Sequence, residues 1–249
     1  MSYVDEVASG VHRYDDGIVN WYLVEDGGRL TAVDAGFPNS WSALTDSLPK
    51  LGRTLSDLEA VILTHAHVDH IGFAEQARKE AGAAIYVHEL DAKLVGSPTT
   101  IAKSERSPFR YVNHATTRKL LLGATLARAP LAKGVKELRR FADGDVLEDV
   151  PGRPTVVHTP GHTDGHCAFH LPDRGVVFAG DAIVTRDPYI GATGPQTVSA
   201  AATKDTRQAL ASLDRFDGLE ASIVLTGHGE PWRGTPAEAA RRAREAGAS

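Results

Sequence analysis

Cysteine is almost missing from this chain: Cys167 stands alone among 249 residues, so no intrachain disulfide can form. A stapled secreted scaffold and a Cys-rich zinc module are thereby excluded, and a reducing, cytoplasmic setting is expected. Long apolar runs are missing too. The richest, residues 120–132, is interrupted by Arg128 and Pro130 and falls short of the roughly 18 to 20 residues a membrane span requires. The N-terminal MSYVDEVASGVHRYDDG has no basic patch followed by an apolar stretch, so no export signal is expected. Nor is there an excess of positive charge: 27 Lys and Arg against 32 Asp and Glu leave a net charge of −5. That balance speaks against a nucleic-acid binder held by phosphate contacts. What remains, 42% hydrophobic residues with 24 Gly and 13 Pro, suffices for one full-sized core and excludes a disordered tail.

Periodicity then divides the chain. Residues 18–24 and 30–33 are short β-branched and aromatic runs around the turn signal Glu25-Asp26-Gly27-Gly28, which predicts a hairpin. Helical spacing marks residues 41–51 and 71–81, and short apolar runs predict strands at 61–63 and 84–87. From residue 155 the theme repeats, with strands at 155–158, 167–171, 176–179 and 222–225, a helix over 199–213, and a last helix over 236–246 capped by Thr235. Two alternating halves imply layered sheets with helices outside. Between them, residues 93–140 carry 11 basic side chains, Lys103 and Lys119 included, against Glu105 and Glu137, a net +9 that leaves −14 elsewhere. This segment, with Leu120, Leu121, Leu122, Leu126 and Leu131, is read as a helical insertion in a single domain spanning 1–249.

Three of the 11 histidines fall in one window, His65-Ala66-His67-Val68-Asp69-His70, directly after the predicted strand 61–63. By composition, an HxHxDH string arises by chance roughly once or twice in a thousand such chains. Alternate residues of an extended segment point the same way, so His65 and His67 present two imidazoles to one cation, while Asp69 and His70 turn toward a second position. Further donors stand beside glycines at the ends of later strands: His162 in TPGH, Asp181 in AGD and His228 in TGHG. Glycines there let a side chain project from a strand edge into a cleft.

In this order, THAHVDHIG, TPGHTDGH, FAGD and TGHGEPW resemble the metal motifs of the metallo-β-lactamase superfamily. The resemblance covers nearly the whole chain apart from residues 93–140. It implies an α+β fold, the four-layer αββα sandwich, with the helical insertion between its halves. It further implies that His65, His67 and His162 hold one divalent metal, that Asp69, His70 and His228 hold a second, and that Asp181 bridges them. Nitrogen and oxygen donors suit Zn(II) best, with Fe(II) or Mn(II) compatible by ligand type. The implied chemistry is attack on a carbonyl by a hydroxide shared between the metals, with Asp69 passing a proton onward. His166 and Asp34 are candidates to support the ligands, and Tyr189 to line the pocket.

Departures from particular branches narrow the substrate. Dizinc β-lactamases usually replace the bridging Asp or a His, and here both are present. Glyoxalase II-like thioesterases carry a helical domain after the last ligand, where only 21 residues follow His228. Quorum-quenching lactonases carry a tyrosine where Val184 stands, and RNA-processing phosphodiesterases add an exosite arm not found here. The expected substrate is therefore a small ester, lactone or thioester with an apolar acyl or anionic character, with β-lactam or phosphodiester hydrolysis as the lesser alternative. A persulfide dioxygenase with one iron is the other alternative, opposed by the complete second set Asp69, His70 and His228. The basic insertion is read as a substrate lid, a contact in a homodimer or plain packing.

Overall fold

The computed structural model describes residues 3–97 and 104–247. Its first half holds β1 (Tyr3–Ala8), β2 (Val11–Asp15), β3 (Asn20–Asp26), β4 (Arg29–Val33), α1 (Ser40–Ser47), β5 (Leu58–Ile62), α2 (Ala74–Glu80), β6 (Ala84–His88), α3 (Ala92–Gly96), α4 (Ala115–Leu126) and β7 (Arg139–Phe141). The second half holds β8 (Thr155–His158), β9 (Cys167–Leu171), β10 (Val176–Gly180), β11 (Val184–Arg186), β12 (Thr193–Gln196), α5 (Thr206–Ser212), β13 (Ile223–Thr226), β14 (Trp232–Arg233) and α6 (Pro236–Ala246). Among the described residues, β1 to β7 form one sheet in sequence order, β14-β13-β10-β9-β8 a second, and β11-β12 a small ribbon.

Strand periodicity accounts for the four layers. On β3, Trp21 and Leu23 face a core with Leu44 of α1 and Ala77 of α2, whereas Tyr22 and Val24 face Phe169, Phe178 and Leu225 of the opposite sheet. On β10 the alternation repeats, with Val176 and Phe178 between the sheets and Val177 beneath Ala239, Ala240 and Ala243 of α6. Both faces of the central strands are covered, which is why they read as continuous apolar runs. The result is helix, sheet, sheet, helix, the sandwich the motifs implied.

Several element bounds differ from the sequence reading, each for a hydrogen-bonding reason. The helix expected over 71–81 starts only at Ala74, because Gly72 and Phe73 donate their amides to the carbonyls of Gly36 and Ala35. The helix expected over 199–213 is confined to Thr206–Ser212, where Asp205 caps by accepting from the Gln208 amide at 2.8 Å. Ahead of it, the amides of Lys204 and Asp205 bond to the carbonyls of His162 and Gly161, so this backbone braces the loop opposite. The strands β1 and β2, rich in charge, have no counterpart in the apolar periodicity.

The basic insertion is the largest correction. Residues 98–103, Lys103 included, lie outside the described residues. Arg139 and Arg140, read as its end, instead pair in parallel with Tyr86 and Val87 as β7. Its leucines do not all pack on the sandwich: Leu122, Leu126 and Leu131 are 63%, 72% and 65% exposed, and Thr117 is the buried residue of α4.

Candidate metal centre

Every motif ends a strand on the same edge of the sandwich. His65 to His70 follow β5, Asp91 follows β6, His162 lies in the β8–β9 loop, Asp181 follows β10, and His228 follows β13. The β10 to β13 pairing is parallel, which sets Asp181 and His228 side by side.

Seven side chains converge there. His67 Nδ1 lies 3.1 Å from His65 Nε2 and 2.8 Å from His162 Nε2. Asp181 Oδ2 stands 3.4 Å from His162 Nε2, 3.9 Å from His65 Nε2 and 3.2 Å from His228 Nε2. Its other oxygen, Oδ1, is 3.6 Å from His70 Nε2. Asp69 Oδ2 closes the second group at 3.9 Å from His70 Nε2 and 3.7 Å from His228 Nε2. The donors fall into two sets, His65, His67, His162 and Asp181, then Asp69, His70 and His228, with all donor atoms of each set within 4.8 Å of one another.

The imidazoles are turned with their lone pairs inward. Thr64 gives its hydroxyl hydrogen to Asp34, at 2.9 to 3.0 Å, and so accepts from His65 Nδ1–H, leaving His65 Nε2 as a bare acceptor. Thr203 likewise donates to the Val198 carbonyl and accepts from His162 Nδ1–H at 3.3 Å. His228 Nδ1–H donates to the Ile18 carbonyl at 2.6 Å and His70 Nδ1–H to Asp34 Oδ2 at 2.8 Å. Outer partners that fix the tautomer in this way are what metal-binding imidazoles require.

Electrostatics separates the two sets. Burial first, then the neighbouring imidazoles, hold His65 and His162 far below the usual histidine range, so both are neutral. Burial also works against protonation of His70 and His228, but the carboxylates of Asp181, Asp34 and Asp69 outweigh it for His70, which is raised to about 10. His228 is raised to about 9, mainly by Asp181. Burial would raise Asp181, yet His228 and His70 hold it well below the ordinary carboxylate range. The first set thus offers neutral lone pairs, while in the second the carboxylates hold protons on His70 and His228 whose place a cation can take.

The arrangement fits divalent metal ions. His70 Nε2 and Asp181 Oδ1 are buried without any hydrogen-bond partner, a costly state unless something else satisfies them. A tetrahedral ion about 2.0–2.1 Å from each nitrogen spaces its donors about 3.3 Å apart. The spacings of 2.8 to 3.4 Å among His67, His162 and Asp181 lie close to that value.

Three supporting residues complete the site. Asp34 adopts a left-handed φ of 63°, the one strained non-glycine here, and its carboxylate gathers His70 and Thr64. His166, buried and pushed down to about 3 by desolvation, accepts the Asp181 amide on Nε2 at 3.0 Å and faces Thr159 through Nδ1. Asp91 is the residue that the sequence reading misses. Fully buried, it accepts from the Ala66 amide at 3.0 Å, the Thr163 hydroxyl at 2.7 Å and the Gly165 amide at 2.8 Å, tying the HxHxDH loop to the loop that carries His162. Nothing local marks it: with Glu89 two residues before and Lys93 two after, it reads as an ordinary acid at a strand end. Replacing Asp91 with Ala strands three buried donors, at roughly 1 to 3 kcal/mol each. The expected outcome is a lowered melting temperature with a ~10- to 100-fold loss of metal affinity, read by chelator competition, with Asn restoring part of both.

Comparison with known proteins agrees with this geometry. Residues 14–228 match the family model described as the metallo-beta-lactamase superfamily. The chain is 28% identical over 239 residues to the "Probable metallo-hydrolase YflN" of Bacillus subtilis, covering 92% of this chain and 87% of that protein. It is similar to the crystal structure of the metallo-beta-lactamase family protein TTHA1429 from Thermus thermophilus, with a TM-score of 0.69, 26% identity, and coverage of 97% and 80% of the two chains. The fold is also that of BJP-1, a subclass B3 metallo-beta-lactamase of Bradyrhizobium japonicum, at a TM-score of 0.66 and 20% identity over 98% and 91% of the chains.

Proposed function

The chain belongs to the metallo-β-lactamase superfamily, and from that premise we propose that it is a dinuclear metal-dependent hydrolase that cleaves an ester, lactone or thioester. The observation that carries this is Asp181, whose carboxylate stands between the two donor sets: Oδ2 lies 3.4 and 3.9 Å from His162 and His65 of one set and 3.2 Å from His228 of the other, and Oδ1 lies 3.6 Å from His70. His65, His67, His162 and Asp181 would hold one ion; Asp69, His70, His228 and Asp181 the other. Two bound divalent cations, Zn(II) favoured by the all-nitrogen-and-oxygen donors, supply a water acidified toward pH 7 and Lewis acidity toward the carbonyl oxygen.

The residues do the rest. Asp34, Thr64, Thr203 and the Ile18 carbonyl hold the imidazole rings so that no reorientation is needed during the reaction. Asp69 has the most open carboxylate of the site, its side chain 17% exposed, against 3% for Asp181. It takes the proton released by the attacking water and returns it to the departing oxygen or sulfur. The balance is one water for one acyl bond: the carbonyl carbon gains oxygen, and the alcohol or thiol leaves with the proton.

The described part of the insertion between β6 and β7, from residue 104 on, acts as a cap on a single domain rather than as a second one. Supporting this, the described part reaches partners of the site itself. The amides of Glu105 and Arg106 bond to the carbonyls of Thr203 and Ala200, and Thr117 donates to the Tyr189 carbonyl at 2.9 Å. Tyr189 sits where burial, then Asp69 and Asp181, push its phenol upward. Among the described residues no helix is long and apolar enough to cross a membrane; the free, buried Cys167 supports a reducing compartment.

Elemental analysis of protein purified without added metal tests the reading. About two zinc per chain are expected, falling to about one in His70→Ala. One iron per chain, indifferent to loss of His70, would overturn it in favour of mononuclear sulfur oxidation.

A further inference from the structure

Beside the metal centre lies a cavity of about 790 Å³ that reaches from His228 outward. Its walls come from four places: the β2–β3 turn, α4 of the insertion, the β11–β12 ribbon and the loop after His228. Ile18, Leu120, Leu122, Leu126, Pro195 and Trp232 make it largely apolar, and its size is that of a small-molecule site.

α4 presents Thr116, Lys119, Leu120, Gly123 and Leu126 to it, a spacing of three and four that places them along one helical face. Gly123 faces the Ile18 side chain in this wall. A Cβ at that position would stand 2.2 Å from Ile18 Cδ1, and Ile18 in turn holds His228 through its carbonyl. The cavity wall and the metal centre therefore share a residue. Leu122 and Leu126, exposed by 63% and 72%, line this space and join none of the apolar core clusters among the described residues.

Five charged side chains stand on its border, Asp15, Asp16 and Glu230 with Lys119 and Arg186. Asp16 is taken by the amides of Ile18 and Val19, Asp15 by that of Gly17, and Glu230 by Arg13 at 2.9 Å. Lys119 and Arg186 line the same space with no ion pair among the described residues.

We infer that this cavity is the acyl-arm subsite: it takes an apolar chain or ring attached to the scissile carbonyl. This rests on the hydrolase reading, and it assigns the insertion a role in choosing the substrate. Water left on Leu120, Leu122 and Leu126 is displaced when the arm enters, so each added methylene strengthens binding.

The zinc-loaded full chain is assayed on acetyl, hexanoyl and decanoyl thioesters of one thiol, and decanoate and acetate binding is measured by calorimetry. kcat/KM is expected to rise ~30-fold or more from acetyl to decanoyl, given a ~4-fold gain per well-buried methylene. In Leu126→Asp, at an exposed position that folding does not depend on, the decanoyl-to-acetyl ratio is expected to fall ~10-fold, with a matching loss of decanoate binding. Equal rates for acetyl and decanoyl, or a ratio unmoved by Leu126→Asp, would overturn the subsite while leaving the hydrolase intact. Decanoate binding that Leu126→Asp abolishes, in a protein that cleaves none of the acyl substrates, would keep the subsite and overturn the hydrolase. Absence of both would overturn both.

Discussion

An Asp181→Ala chain is expected to retain less than half of the wild-type metal and to lose ~10³-fold or more in kcat/KM, with elemental analysis and steady-state hydrolysis as the paired measurements. The size follows from position. Asp181 is 3% exposed and stands within 3.2 to 3.9 Å of four imidazole nitrogens that belong to both donor sets. Loss of the carboxylate leaves those nitrogens with no shared negative partner, and a second cation then faces the first without the charge between them. Asp181→Asn, which keeps the shape and removes the charge, separates the two contributions.

The same variant changes the pH dependence of the chelator-treated protein in a direction that can be worked out. Folded His70 and His228, at about 10 and about 9, lie above the ordinary histidine value. Their stabilising contribution is complete below about pH 6.5 and is lost as pH rises through 9 to 10. Asp181 is shifted the other way, so its contribution is present above the ordinary carboxylate value and fades as pH falls toward its own depressed one. The gap in melting temperature between wild type and Asp181→Ala should thus be widest between about pH 4 and 6.5 and narrow toward pH 10. A gap that widened with pH would contradict the pairing of these histidines with Asp181.

Gly227→Ala is expected to weaken metal binding ~100-fold although Gly227 holds no donor atom. A Cβ there would lie 2.1 Å from Asp181 Oδ1 and 2.9 Å from His70 Cε1. The backbone cannot retreat, since the Gly227 amide bonds to the Gly180 carbonyl at 2.8 Å and its carbonyl accepts from the Asn20 amide at 2.7 Å. Gly227 is not among the positive-φ glycines, so alanine meets no backbone strain and the methyl itself does the damage. Chelator competition reads the affinity, and near-wild-type circular dichroism is expected to show the fold retained. A Gly227→Ala protein that binds metal as the wild type does would mean that Asp181 does not occupy the place described.

Much of the site could be read without coordinates, because metal ligands are chemically rare and their spacing is local. His65, His67, Asp69 and His70 sit in six consecutive residues, and His162, Asp181 and His228 each follow a short apolar strand with glycine beside them. The layers were readable for a similar reason: strands buried on both faces are short apolar runs, and Thr235-Pro236 announces the start of α6.

Other features depend on contacts that no local pattern encodes. Asp91 looks like any acid at a strand end until the fold brings Ala66, Thr163 and Gly165 to its carboxylate. Thr203 becomes the partner of His162 only across 41 residues of chain. The leucines of α4 carry a helical pattern that reads equally as packing or as pocket, and only the placement of α4 against the β2–β3 turn and the β11–β12 ribbon sets Leu120, Leu122 and Leu126 along the cavity. By itself, the sequence determined the family, the layered fold and which side chains are candidate donors, since these rest on residue chemistry and short-range periodicity. The tertiary structure alone decided which acids and hydroxyls orient those donors, where α2 and α5 begin, and which face of the insertion borders the site, because each of these is set by the packing of segments distant in the chain.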